Sequence, residues 1–106
     1  MAKLKIYRQG DIMLVATSGV EPGDQIPRDG GRVVLAYGEV TGHAHAIAAP
    51  QATLHEIQGD LDRLLRCQKQ VELRHEEHGT IVLPVGDYLV KRQREYTPEE
   101  VRYVAD

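Results

Sequence analysis

The sequence predicts an all-β chain forming one domain over residues 1–106, a small antiparallel β-barrel or sandwich. Three observations carry that expectation. Short runs of Val, Leu and Ile recur between Gly and Pro turn signals, with little sustained helical periodicity. Phe and Trp are absent, so the core must come from aliphatic side chains and five tyrosines, a palette that favours strands. At 106 residues the chain has room for one thin core and one site.

Taken in order, Leu4 to Arg8 and Asp11 to Thr17 read as strands around Gln9-Gly10, the second carrying the buried-type run Ile12-Met13-Leu14-Val15-Ala16. Ser18 to Gly31 holds Gly19, Pro22, Gly23, Pro27, Gly30 and Gly31, and reads as a long loop, a flap near the mouth of the barrel. Arg32 to Tyr37 returns to strand. Gly38 and Gly42 bracket Glu39-Val40-Thr41, and His43 to Ala48 alternates so that His43, His45 and Ile47 share one face and Ala44, Ala46 and Ala48 the other. Thr53 to Ile57 is a further strand. Leu61, Leu64 and Leu65 have helical spacing, but two strands around Lys69-Gln70, Leu65 to Gln68 and Val71 to His75, are preferred. Thr80 to Leu83 is strand, Pro84 to Asp87 a turn, and Tyr88 to Tyr96 a longer strand. Gly79 suits a left-handed hairpin position, and Thr97-Pro98-Glu99-Glu100, which has capping-box form, has too few residues after it for more than one turn.

The net charge of −3 is mild and the basic residues are scattered, so no nucleic-acid partner is expected. Arg92 and Arg94 alternate with Gln93 as a solvated strand face, with an anionic substrate as the alternative if that face lines a cavity. No apolar run approaches a membrane span, so no membrane partner is expected. Cys67 is the only cysteine, which excludes an intrachain disulfide and fits a reducing cytoplasm; it reads as a small core hydrophobe. Tyr88 and Tyr96 read as core residues with tethered hydroxyls.

Function is carried by the histidines. Four of the five lie in two clusters, His43 with His45 and His75 with His78, while His55 stands apart. Imidazole is a good ligand for zinc, iron, nickel or copper, and strand alternation points the first pair the same way. A bound ion needs more than two protein groups, so the second cluster must complete the set. Residues three apart fall on opposite faces of an ideal strand, which leaves two ligand sets in competition: His43, His45, His75 and His78, or the first three with Glu77. The four-histidine set is preferred, because a turn at Gly79 would fold His78 back while Glu76 and Glu77 stay in water. Glu39 reads first as a turn residue and second as a carboxylate supporting the site.

At these residues the chain resembles a reduced cupin. Gly38-Glu39-Val40-Thr41-Gly42-His43-Ala44-His45 is similar to that family's first motif, a Gly followed by His-x-His on a strand. Gly79-Thr80-Ile81-Val82-Leu83-Pro84-Val85-Gly86 is similar to its second, with Pro-x-Gly in a turn. No Glu follows His45 at the family's spacing, and Leu89 replaces the His that follows Pro-x-Gly. The resemblance therefore implies His43 and His45 as metal ligands, and Pro84 and Gly86 as a structural turn. The segments Gly38 to Ile47 and His75 to Tyr96 also resemble a group of short, uncharacterised bacterial and phage-associated proteins, which implies a bacterial cytoplasm.

The expected function is a small protein holding one divalent transition metal (zinc, iron, nickel, copper or manganese), with a small-molecule ligand at the metal and a two-fold homodimer as its simplest assembly. The alternative is a non-enzymatic assembly or binding module whose histidines form a metal-free polar cluster.

Overall fold

The computed structural model describes residues 5–38 and 42–92. Glu39, Arg94, Tyr96 and the Thr97 to Glu100 segment lie outside the described residues. The described chain is all β, with nine strands and no helix: β1 (Ile6–Gln9), β2 (Ile12–Thr17), β3 (Val33–Tyr37), β4 (Ala44–Ile47), β5 (Ala52–Glu56), β6 (Arg63–Cys67), β7 (Val71–Leu73), β8 (Ile81–Leu83) and β9 (Gly86–Arg92). The helical spacing at Leu61, Leu64 and Leu65 is not realised. Leu64 and Leu65 are buried in β6, whereas Leu61 is exposed in the preceding bend.

Every pairing is antiparallel. Five strands form one sheet in the order β1-β2-β9-β6-β5, and β3-β4 and β7-β8 form two hairpins. The backbone N–H groups of Ala46 and Arg74 each donate to the other residue's carbonyl, at 3.0 and 2.9 Å, which links β4 to β7 and sets the hairpins side by side. Among the described residues these sheets do not close into a barrel.

One core lies between the five-stranded sheet and the hairpins. Cross-strand neighbours Leu54, Leu65, Tyr88 and Ala16 form a row over four strands of the large sheet. Val33, Leu35 and Ile47 meet that core from the first hairpin, and Val71, Leu73 and Leu83 from the second. Leu35 is an extra residue in β3, a bulge between Val34 and Ala36, and both Leu35 and Ala36 are buried. Cys67 belongs to this core, and burial pushes its thiol up to about 12, as expected of a small hydrophobe rather than a nucleophile. Tyr88 is also core, with its hydroxyl donating to the Pro84 carbonyl at 2.7 Å.

The Ser18 to Gly31 segment differs from the expected flap. Gly23 and Ile26 donate to the Glu56 and Leu54 carbonyls, and Glu56 donates back to Asp24. The loop thus covers the edge of β5, satisfying backbone groups that an open sheet edge would expose. Arg28 fastens its far end by donating to the carbonyls of Gly31, Ala49 and Ala52.

Towards the β1–β2 turn the inner face of the large sheet becomes polar. Gln9 pairs with Ile12, which pairs with Arg92, so an amide and a guanidinium end the core where β4 presents its histidines. Arg92 is half-buried rather than on a solvated face: its Nε donates to Asp11 at 3.4 Å and its NH2 group to the Tyr37 carbonyl at 2.7 Å.

Candidate metal centre

Alternation along β4 turns Ile47 into the core and His45 to the same side, and His45 is 2 % exposed. His43, just before the strand, is half-buried. The second cluster arrives on the segment between β7 and β8, which returns over the mouth of the first hairpin after the Ala46–Arg74 link.

The four imidazoles lie against one another. The His75 ring touches all three others, with centroids 4.4 Å from His45, 4.5 Å from His78 and 5.7 Å from His43. His45 and His78 stack nearly parallel at 5.9 Å. Gly10, with φ +60°, makes room for this: a Cβ there would stand 2.7 Å from His78 Nε2 and 3.2 Å from His45 Cε1.

Ligand atoms of His43, His75 and Glu76 all fall within 4.8 Å of one another, a spacing that one divalent ion can bridge. The structure therefore brings forward a carboxylate that the sequence reading left in water. Glu76 is exposed, but its Oε1 accepts the Ala44 N–H at 2.9 Å. That hydrogen bond, foremost, and the neighbouring His43 and His75 hold its carboxyl below the usual range, so it is an anion at neutral pH. Glu77 lies 3.5 Å from His43 Nδ1 and is mostly exposed. Gly79 is not left-handed. Its carbonyl, together with that of Leu73, accepts from the Gln9 amide, and this anchorage rather than a glycine turn holds His78 over the cluster.

His45 is the electrostatic centre of the group. Burial, and next the neighbouring His75, push its pKa down to about 4, while Asp11 works in the opposite direction. It is therefore a neutral imidazole at physiological pH, the form that binds metals. The unfolded chain takes up a proton near pH 6.5 that the folded chain refuses until about pH 4, so this contribution is fully present above pH 6.5 and is lost as the pH falls towards 4. We expect the metal-free protein to lose about 3 kcal/mol over that window from this group. Denaturant titrations of wild type and His45→Gln check it: the variant should be flatter between pH 6.5 and 5, and equal slopes would contradict the assignment.

His75 carries an internal constraint. Its Nδ1 accepts the Glu77 N–H at 3.0 Å, which occupies one ring nitrogen and leaves the proton of the neutral ring on the other. A metal at either nitrogen requires that hydrogen bond to open, because Nδ1 then either holds the ion or carries the proton.

His55 lies elsewhere, on β5, bound through Nε2 to Thr53 Oγ1 at 3.0 Å and facing the Gly23 carbonyl at 3.3 Å. Beside the cluster, Ala44, Ala46 and Ala48 floor a hollow of about 310 Å³ walled by Arg32, Arg74, His75, Glu76 and Thr80. The alanine face of β4 thus lines this hollow. Gln9, Asp11 and Glu76 were missed by sequence reasoning. Spacing gave no sign of the first two, which lie more than thirty positions from their partners, although Gln9-Gly10-Asp11 is recognisable as a polar turn tip.

Among the described residues no helix is long and apolar enough to cross a membrane. Residues 8–93 match a family described as a domain of unknown function (DUF8820). No curated protein and no solved structure matches the chain.

Proposed function

This chain belongs to the DUF8820 family, a domain of unknown function, and we propose that it binds one divalent first-row transition metal at the packed imidazoles of His43, His45, His75 and His78, with Glu76 replacing Glu77 as the carboxylate. The observation that carries this reading is the His43, His75 and Glu76 group, whose ligand atoms share a 4.8 Å sphere of contact beside a buried neutral His45. Imidazole nitrogen with one carboxylate suits zinc, iron, nickel, copper or manganese. The cupin-like architecture belongs to the same proposal. Two hairpins facing a five-stranded sheet, with the His-x-His segment at the mouth between them, are what an opened, reduced barrel of that kind requires.

In this reading Arg32 and Arg74 beside the adjoining hollow favour an anionic small ligand there, to which a bound ion would supply Lewis acidity. Glu76 orients the centre through its bond to β4, and the buried Gln9 closes its inner side.

Zinc titration of tag-free protein tests the proposal. His43→Ala is expected to lower affinity at least tenfold, whereas His55→Ala leaves it unchanged. In the wild type, the Glu77 amide resonance is expected to shift on loading, because its hydrogen bond to His75 must open. Equal losses from His43→Ala and His55→Ala would mean nonspecific imidazole binding and would overturn the reading.

A further inference from the structure

The hollow beside the imidazoles has an order of charge along its floor. Ala44, Ala46 and Ala48 lie on one face of β4 and the residue after it, a span of about 13 Å at the rise of a strand. Ala44 and Ala46 are buried, yet neither belongs to the hydrophobic core, because their methyls face the hollow. Val33 pairs with Ile47, which sets Arg32 beside Ala48. Arg74 exchanges backbone hydrogen bonds with Ala46, and Glu76 accepts the Ala44 N–H. The floor therefore runs from two guanidiniums at one end to a carboxylate and the His75 ring at the other.

The two arginines are free to take a ligand. Among the described residues no hydrogen bond or ion pair holds the Arg32 side chain. Its backbone pairs with Asp29, whose carboxylate accepts from the Tyr37 hydroxyl. Arg74 gives one terminal nitrogen to Glu72 at 2.5 Å, in an exposed pair of a kind that contributes little. Arg28 adds a third positive charge behind the same end, donating to the Ala48 carbonyl at 3.5 Å. A guanidinium meets a carboxylate through two parallel N–H groups, whereas Glu76 repels one. At about 310 Å³ the hollow is at the small end of ligand sites, and its alanine methyls offer a short hydrocarbon an apolar surface.

We infer that the hollow binds a short-chain aliphatic carboxylate in one orientation, its carboxylate on Arg32 and Arg74 at the Ala48 end and its body over the alanine methyls towards His75 and Glu76. The inference rests on the reading above for an anionic ligand in the hollow, and deepens it by naming the class and its direction. The carboxylate is held by the chain's own guanidiniums and not by the ion, so binding does not require metal.

The test is an NMR titration of alanine-methyl-labelled protein with butyrate and with its neutral isostere butyramide, first with chelator and then with zinc. With chelator, butyrate is expected to shift the Ala44, Ala46 and Ala48 methyl signals saturably, while butyramide leaves them in place. Arg32→Gln should weaken butyrate roughly tenfold. The fold should persist in that variant, because the pairing with Asp29 is made by the backbone. Glu72→Gln, which releases Arg74, should tighten butyrate about twofold, a gain that a merely structural role for these charges would not produce. Equal binding of the two probes, or unchanged butyrate affinity in Arg32→Gln, would overturn the inference. So would butyrate that binds only once zinc is present, since its carboxylate would then lie on the ion; that result leaves the metal-binding proposal standing. Arg32-dependent butyrate binding in a protein that takes up no zinc would instead overturn the metal-binding proposal and support this inference.

Discussion

Replacing His75 by alanine is expected to lower zinc affinity by roughly two orders of magnitude or more. His75 is the only ring of the cluster in contact with all three others, and it also supplies a ligand atom to the group with His43 and Glu76. The substitution should leave the fold intact, because His75 lies on a half-exposed turn whose ends are held independently by Gln9 and by the Ala46–Arg74 backbone pair. Calorimetric titration of folded His75→Ala against wild type is the measurement, with circular dichroism to establish the fold. An affinity within twofold of wild type would show that the imidazole cluster is not the binding site.

The largest effect on stability is expected at Leu65. This residue is fully buried on β6, with Leu54 and Tyr88 as its cross-strand neighbours, in the middle of the row that anchors the five-stranded sheet. Leu65→Ala removes apolar contacts and leaves a cavity that a sheet paired on both sides cannot collapse to fill, costing about 3 kcal/mol. Against the roughly 5–15 kcal/mol that stabilises a domain of this size, that is a large fraction. The urea midpoint should fall with an unchanged slope. A loss below about 1 kcal/mol would mean that the core between the sheet and the hairpins is not packed as described.

How much of this was legible beforehand depended on the range of the interaction. Strand positions were readable because alternation and Gly or Pro punctuation are local: β2, β3, β4 and β8 fall within the predicted runs. The placement of His45 beside Ile47 on an inward face likewise follows from a period of two. Partnership between strands was not readable. β6 and β7 are consecutive and separated by a short turn, yet β6 pairs with β5 and β9 while β7 pairs with β8, a choice made by burial over the whole core. A barrel was expected beside a sandwich, from short strands between Gly and Pro turn signals and from the resemblance to a cupin, and the loop covering the β5 edge, together with the separate hairpins, gives a different solution to the problem of open edges.

The site shows the same division. Histidine clustering announced itself, but the carboxylates did not. Glu76 was distinguished from Glu77 by one backbone hydrogen bond to Ala44, thirty-two positions away, and no pattern in Arg74-His75-Glu76-Glu77-His78 encodes that bond. Gly79 was assigned a conformational role and has instead a hydrogen-bonding one, as an acceptor for Gln9 seventy positions earlier. Arg92, read as a solvated strand residue, is drawn inward by Asp11 and the Tyr37 carbonyl.

Stoichiometry tests most directly whether the packed imidazoles form one binding site for a divalent transition metal. Protein prepared without a histidine tag, stripped with chelator and reloaded with excess zinc should retain, after exhaustive desalting, one ion per chain by native mass spectrometry, with the His55→Ala variant giving the same result. A wild-type chain that retains no ion, or a ladder of several weakly held ions that persists in His43→Ala, would contradict the account.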